Sequence, residues 1–208
     1  MTPNQSTFIR RWLPVCVVLL WIPAVGAGIH VLLRYADTPG RLASPPAEWP
    51  RDATARWESG RVNLVLFLHP QCPCSRATIG ELAQIMARAR GKVSAEVWFY
   101  APETESQDWV RSQTWRQAAM IPGVHAREDR NGKEARTFGA ATSGQVLAYD
   151  SLRQLRFNGG ITAARGHAGA NDGEDAIESL VLTGYSGTNK TAVFGCSLLG
   201  AEMKGQQQ

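Results

Sequence analysis

The chain has 208 residues, of which 44% are hydrophobic and 19% are charged, and its formal net charge is +4 at pH 7. This length supports one domain with an ordinary core plus appendages and leaves little for a second domain. The positive charge is spread along the chain without a block of lysines and arginines, so the composition does not indicate a nucleic-acid partner. Four cysteines, Cys16, Cys72, Cys74 and Cys196, are too few and too unevenly spaced for a disulfide-stapled miniature scaffold or a paired zinc ribbon.

The N-terminal segment 12–33 contains 22 residues without an Asp, Glu, Lys or Arg. It is long enough to cross a bilayer as a helix. Arg10 and Arg11 precede it, so the positive-inside rule predicts a cytoplasmic N-terminus over residues 1–11 and an exported remainder, although Arg34 opposes this orientation. The segment therefore predicts a single-pass protein of the bacterial inner membrane with its soluble part on the periplasmic side.

Two alternatives exist for the same segment. A small-residue site at 24–26 could instead be the cleavage site of a signal peptide, which would also export the rest of the chain. A buried core helix is disfavoured by the length of the segment and by Pro14 and Pro23 within it. Cys16 lies inside the apolar run and is interpreted as an apolar membrane residue.

Residues 34–60 are rich in proline, alanine and charge and have no sustained periodicity, which predicts a linker. Residues 62–68 form a short apolar run that is typical of a strand buried on both faces. After the two central cysteines, apolar residues recur at helical spacing up to Gly91 and predict an amphipathic helix. These residues are Ile79, Leu82, Ala83 and Met86.

Strands and helices alternate beyond this helix, which indicates an α/β domain over residues 61–200, followed by a tail over 201–208. The pattern predicts a strand over 93–100, a helix from the cap Ser106 to Ala119, a strand over 123–127, a hairpin of 146–149 with 152–157, and a last helix that begins at Asp172 as its N-cap.

The close pair Cys72-Pro73-Cys74 lies between the predicted strand and the predicted helix. Unpaired N–H groups and the positive end of the helix dipole stabilise a thiolate at such a position. A cysteine there has a lowered pKa and becomes a nucleophile. Two cysteines at this position could cycle between dithiol and disulfide.

The run FLHPQCPCSRATIGEL, after an apolar strand and before a helix, resembles the active-site region of the thioredoxin superfamily. The resemblance covers residues 61–185 and implies an α/β fold with a thioredoxin-like central mixed sheet flanked by helices. The single N-terminal anchor is similar to that of the membrane-tethered TlpA/ResA-like and RedB-like proteins. By this resemblance Cys72 and Cys74 take the place of the redox pair, and Pro73 takes that of its intervening residues.

The sequence departs from the family pattern at two points. One residue separates the cysteines instead of two, so a Cys72–Cys74 disulfide would be strained and easily reduced. The stretch 141–144 contains no proline, whereas the family has a cis-proline there that shapes the substrate groove and helps keep metals off the thiols. Its absence favours metal binding.

Three further residues are candidates for the site. His69 could tune a thiolate or share a metal with Cys72, or it could simply end a strand. Cys196 is interpreted first as an ordinary buried cysteine, and alternatively as a third thiol or metal ligand on a tail that folds back. The glycine-rich stretch 158–167, which ends at His167, could approach the site or provide tight turns.

The leading functional hypothesis is an envelope thiol-disulfide oxidoreductase that uses Cys72 and Cys74 without a cofactor. Its partners would be thiol-containing envelope proteins or a membrane electron donor. One alternative is a copper-binding or copper-delivery protein with Cys72 and Cys74, helped by His69, Cys196 or His167. Further alternatives are a thiol peroxidase with Cys72 as the peroxidatic thiol, and a non-catalytic interaction domain.

Overall fold

A computed structural model describes residues 5–199, with side chains from residue 12 onward. The predicted tail 201–208 and the first four residues of the predicted cytoplasmic N-terminus lie outside the described residues. The chain divides into two compact units, Met1–Asp37 and Thr38–Gln208.

The first unit contains the helix α1, Gln5–Asp37. Its portion Trp12–Asp37 has a mean hydropathy of 2.3 and is long and apolar enough to cross a membrane. Length and composition are the whole basis of this assignment, and a signal sequence would satisfy the same criteria. Pro14 and Pro23 lie within the helix, which the sequence predicted over residues 12–33.

The second unit contains five strands and five helices within the described residues. The strands are β1 Val62–Leu68, β2 Val93–Ala101, β3 Val124–Arg130, β4 Gln145–Tyr149 and β5 Leu155–Gly159. The helices are α2 Pro73–Ala89, α3 Gln107–Val110, α4 Gln113–Ala119, α5 Lys133–Thr137 and α6 Asp172–Thr183.

The strands form one mixed sheet in the order β3-β2-β1-β4-β5. β1 pairs in parallel with β2, and β2 pairs in parallel with β3. β4 runs antiparallel to β1 and forms the predicted hairpin with β5. The predicted central mixed sheet flanked by helices is therefore confirmed.

Strand β1 is buried on both faces of the sheet, as its apolar run predicts. Leu64 and Leu66 contribute to the core that lies under α2 and α6. Val65 and Phe67 contribute to a second core, which contains Trp49 and residues near the C-terminal end of the described chain. Successive side chains of a strand point to opposite faces, so a strand that is covered on both faces is apolar throughout.

Two helical predictions differ from the structure in detail. The segment after β2 forms the two short helices α3 and α4 instead of one, because both Ser106 and Ser112 act as N-caps. The N-cap of α6 is Asn171, whose side chain accepts the N–H groups of Gly173 and Glu174 at 3.1 and 3.0 Å, so the prediction of Asp172 as the cap is wrong.

The segment before β1 packs on the domain, whereas the sequence predicted a linker over residues 34–60. Trp49 is 6% exposed and its ring meets those of Trp57, Phe138 and Tyr149 edge to face. These aromatic rings cover one face of the sheet, and the compact unit extends back to Thr38.

The segment after α6 returns across the domain and buries Val193, Leu198 and Leu199. This returning segment packs closely against the glycine-rich stretch 158–167, which was predicted to provide tight turns or to approach the site. A Cβ atom at Gly160 would lie 2.6 Å from the carbonyl oxygen of Ala192. This glycine therefore permits the returning segment to pack, and it does so without a positive φ angle.

Candidate active site

The loop between β1 and α2 carries the central cysteines. Cys72 is the N-cap of α2, Pro73 is the first residue of the helix and Cys74 is the second. Proline suits that first position because its fixed φ angle is helical and a donor is not needed there. The Cys72 N–H donates to the carbonyl of His69, and the Ser75 N–H donates to the carbonyl of Cys72, both at 3.1 Å. The predicted position of the pair at a strand-to-helix junction is thus observed.

The returning C-terminal segment brings a third cysteine to this loop. The Sγ atom of Cys196 lies 3.7 Å from the Sγ atom of Cys72, across 124 positions of sequence. Cys72 is buried, Cys74 is partly exposed and Cys196 is exposed. The first interpretation of Cys196 as an ordinary buried cysteine is therefore wrong, and the alternative of a tail that folds back to the site describes the structure.

The three thiols differ in acidity. Burial raises the pKa of Cys72, but the backbone N–H groups of Cys74 and Cys196, the Cys196 thiol and the Ser75 N–H outweigh it and bring this pKa below its usual value. These donors combine the helix N-terminus with the returning segment. Cys72 is consequently the thiol of the group that ionises most readily, and the thiolate is the nucleophilic form.

The other two thiols hold their protons more firmly. Burial, together with the charge and the hydrogen bonding of Cys72, raises the pKa of Cys74 to about 11. The same causes raise the pKa of Cys196. The site therefore favours one thiolate at Cys72 beside two protonated thiols.

Ser143 connects the cysteine loop to the returning segment. Its side-chain oxygen accepts the backbone N–H of His69 at 2.9 Å and lies 3.1 Å from the hydroxyl of Ser75. Its own N–H donates to the carbonyl of Cys196 at 2.9 Å. Ser143 belongs to the stretch in which the sequence lacks the family's proline, and the peptide bonds of the described residues are all trans.

Arg165 is a site residue that the sequence analysis did not single out. Its Nη1 donates to the carbonyl of Gly195 at 2.6 Å, and its Nε donates to the carbonyl of Thr38 at 3.2 Å. Its positive charge opposes the rise in the pKa of Cys74 and Cys196. Arg165 lies in the glycine-rich stretch 158–167, and the expectation that this stretch could approach the site was the sequence signal that pointed to it.

The two histidine candidates have other contacts. The ring of His69 packs against those of Trp109 and Tyr100, with centroids 5.3 and 6.2 Å apart, and its Nδ1 accepts the N–H of Gln71. Burial lowers the pKa of His69. His167 is exposed, and its Nδ1 lies 2.9 Å from the carbonyl of Arg165. His69 therefore contributes to the site through its backbone N–H and carbonyl.

The three cysteines are the donors that a copper ion would meet at this site. Thiolates are soft ligands that suit Cu(I), and three cysteines lie at this loop. Within the part of the chain whose side chains are described, however, no group of three or more His, Cys, Asp or Glu side chains is arranged so that it could hold a metal ion. The described side chains therefore form no metal centre of three or more such ligands.

Comparison with known proteins gives structural matches alone. No model of a known protein family matches the chain, and no curated protein matches its sequence. A hypothetical protein of Sinorhizobium meliloti matches with a TM-score of 0.55 and 19% identity, over 79% of this chain and 97% of that one. An uncharacterized conserved protein of Geobacillus kaustophilus matches with a TM-score of 0.56 and 16% identity, over 77% and 91%.

Two weaker matches are to proteins with named properties. A secreted disulfide oxidoreductase of Mycobacterium tuberculosis homologous to DsbE has a TM-score of 0.43 and 14% identity, over 59% of this chain and 81% of that one. Copper-bound ScoI of Bradyrhizobium japonicum has a TM-score of 0.37 and 13% identity, over 61% and 94%. Likenesses at this level carry no functional argument.

The fold class follows from the mixed sheet, its strand order and the cysteine at the start of α2. The chain has a thioredoxin-like fold, with a thiol site at the junction of β1 and α2.

Proposed function

We propose that this protein is a thiol-disulfide oxidoreductase of the bacterial cell envelope, with Cys72 as the attacking thiol. One observation carries the proposal: the sulfur of Cys72, whose pKa is lowered by donors at the start of α2, lies 3.7 Å from a second thiol. A thiolate next to a protonated thiol is the arrangement that disulfide exchange requires.

The reaction has two exchange steps. The Cys72 thiolate attacks one sulfur of a partner disulfide, forms a mixed disulfide and releases the other partner sulfur as a thiolate. That thiolate takes the proton of a second thiol of the site, which then attacks Cys72 and releases the remaining partner sulfur. Two electrons pass to the partner, and the site becomes a disulfide. The reverse sequence oxidises a partner dithiol.

The N-terminal helix supports a location at the membrane. We extend the proposal to a single-pass anchor in the inner membrane with the thiol domain on the periplasmic side, where disulfides form and persist. The proposed redox partners are thiol-containing envelope proteins or a membrane electron donor. The anchor also supports the kinship with TlpA/ResA-like or RedB-like proteins that the sequence suggests.

The test uses the full chain, reduced and held in detergent micelles. Incubation with oxidised glutathione should release reduced glutathione and leave a protein disulfide, both measured by mass spectrometry. Cys72→Ser should abolish the release, and Cys16→Ser, in the apolar helix, should leave it unchanged. Absence of exchange in the unmodified chain would overturn the proposal. Stoichiometric Cu(I) uptake that is lost in Cys72→Ser, without exchange, would favour the copper-binding alternative.

A further inference from the structure

We infer that the second thiol of this site is Cys196, so that the redox couple of the protein is Cys72–Cys196 and Cys74 remains outside it. The inference rests on the proposed function, because it names the resolving residue of the same reaction. The sequence predicted the pair Cys72 and Cys74 for this role.

The sulfur atoms of Cys72 and Cys196 need only a small movement to form a bond. Cys72 and Cys196 are 3.7 Å apart in the dithiol form. A disulfide bond is about 2.05 Å long, so the sulfurs must approach by less than about 2 Å. Cys196 is exposed and lies outside the helices and strands, where rotation about its Cα–Cβ bond can provide this approach.

The position of Cys74 in the helix disfavours a bond to Cys72. Cys72 caps α2 and Cys74 is its second residue, so the two are separated by two positions. The two side chains interact, because the charge and the hydrogen bonding of Cys72 contribute to the raised pKa of Cys74. A bond between them would close a small ring across the single residue Pro73, and a disulfide away from its preferred geometry is strained.

Backbone hydrogen bonds and packing hold Cys196 in place on the domain. The Ser143 N–H donates to the carbonyl of Cys196 and the Leu198 N–H donates to the carbonyl of Ala141, both at 2.9 Å. These two bonds flank Ser197, the neighbour of Cys196, and pair it with Thr142 in an antiparallel bridge. Leu198 and Leu199 are buried just beyond it, which fixes the segment on the sheet. The packing of this segment thus places Cys196 next to Cys72.

A close backbone approach next to Cys196 supports the same conclusion. A Cβ atom at Gly195 would collide with the carbonyl oxygen of Ser143. The carbonyl of Gly195 also accepts the guanidinium of Arg165 at 2.6 Å. Glycine at this position therefore allows the segment to lie against Ser143, at the distance that brings the Cys196 sulfur to Cys72.

The exchange with Cys196 balances in atoms and electrons. Cys72 first holds the mixed disulfide, and the released partner thiolate takes the proton of the Cys196 thiol. The Cys196 thiolate then bonds to Cys72 Sγ, and the bond between Cys72 and the partner breaks. The partner leaves as a thiolate. One partner disulfide is reduced by two electrons, and the dithiol Cys72 and Cys196 becomes one disulfide.

Peptide mapping of the oxidised full chain distinguishes the two couples. Trypsin places Cys72 and Cys74 together on the peptide 62–76 and Cys196 on the peptide 191–204. The protein is equilibrated in detergent with a glutathione redox buffer, quenched with acid, alkylated, digested and analysed by mass spectrometry. A Cys72–Cys196 bond links the two peptides, whereas a Cys72–Cys74 bond stays within peptide 62–76.

The expected product is the linked pair of peptides, retained in Cys74→Ser and lost in Cys196→Ser. A disulfide confined to peptide 62–76, with Cys196 alkylated, would overturn this inference and leave the proposed function standing. A link between the two peptides that survives in Cys72→Ser but is lost in Cys74→Ser would show a Cys74–Cys196 bond and would also overturn the inference. Absence of any reversible disulfide would overturn the inference and the proposed function together.

A positioning test changes no thiol. Gly195→Ala should displace the returning segment from Ser143 and cause a loss of linked peptides, with a matching loss in the initial rate of glutathione exchange. Gly187→Ala is the matched control, because Gly187 is exposed in the same connecting segment and a Cβ atom there meets nothing within 4 Å. Equal linkage in the two variants would contradict the positioning argument.

Discussion

The backbone N–H of Ser143 donates a hydrogen bond to the carbonyl of Cys196 at 2.9 Å, while the Ser143 side chain accepts the N–H of His69 at 2.9 Å. Ser143 is completely buried, so water cannot replace either bond. One residue thus links the loop that precedes Cys72 with the segment that carries Cys196. The spacing of these two thiols depends on this link.

Removal of the Ser143 hydroxyl should destabilise the domain. In Ser143→Ala the N–H of His69 loses its acceptor, and an unsatisfied buried donor costs about 1–3 kcal/mol of the free energy of unfolding. Urea unfolding of the full chain in micelles, followed by tryptophan fluorescence, measures the loss. Ser151→Ala, at an exposed turn, is the control and should unfold like the unmodified chain. Equal midpoints for both variants would refute the structural role of Ser143.

Cys72 and Cys74 should react with an alkylating agent over different pH ranges. Only the thiolate reacts, so the rate for each cysteine rises through its own pKa. Donors at the start of α2 lower the pKa of Cys72, while burial and the Cys72 charge raise that of Cys74 to about 11. With iodoacetamide on the reduced chain, we expect Cys72 to be modified at a lower pH than Cys74, as measured by fragment-ion mass spectrometry.

Cys196→Ala extends this alkylation experiment. The Cys196 thiol is one of the groups that lower the pKa of Cys72, so removal of this donor should move the midpoint for Cys72 to higher pH. Cys16→Ser serves as the control. A midpoint for Cys74 below that of Cys72 would contradict the assigned order of acidity.

Asp129 should make the stability of the domain depend on pH. Burial raises the pKa of this carboxyl from 3.8 to about 6, although it accepts the N–H groups of Glu134 and Ala135 at 2.7 and 3.0 Å. Between these two pKa values the folded chain keeps a proton that the unfolded chain has released. The free energy of unfolding therefore falls as the pH rises through this range and levels off above it.

We expect this fall to amount to roughly 1–3 kcal/mol between pH 4 and pH 7 and to be reduced in Asp129→Asn. Urea unfolding at several pH values measures it. Asp52→Asn, at an exposed position, should keep the slope of the unmodified chain. An unchanged slope in Asp129→Asn would assign the pH dependence to other groups.

Trp49→Ala should show that residues 38–60 belong to the folded domain. The ring lies 5.2 to 5.3 Å from three other aromatic rings, and truncation of a buried tryptophan costs about 3–5 kcal/mol. Urea unfolding should reveal this loss, and trypsin should cleave faster after Arg51 and Arg56. Leu152→Ala, which removes a side chain that is 72% exposed, is the control. An unchanged midpoint for Trp49→Ala would support a tether.

Much of the fold could be predicted from local patterns. The continuous apolar run of β1, the helical spacing of Ile79 and Leu82 in α2 and the hairpin of β4 and β5 each have a signature within a few residues. The split of the segment after Ser106 into two helices was missed, because a second serine cap at Ser112 is ambiguous in sequence. The packing of Trp49 was missed because its partners are far away in the chain.

The sequence alone determined the apolar N-terminal segment and the cysteine pair at the start of a helix, because hydropathy and cap positions depend on neighbouring residues. The tertiary structure alone decided which thiol stands next to Cys72. The contact with Cys196 spans 124 positions and depends on the path of the returning segment past Ser143. Periodicity reports which residues are buried, but not which distant residue each one meets.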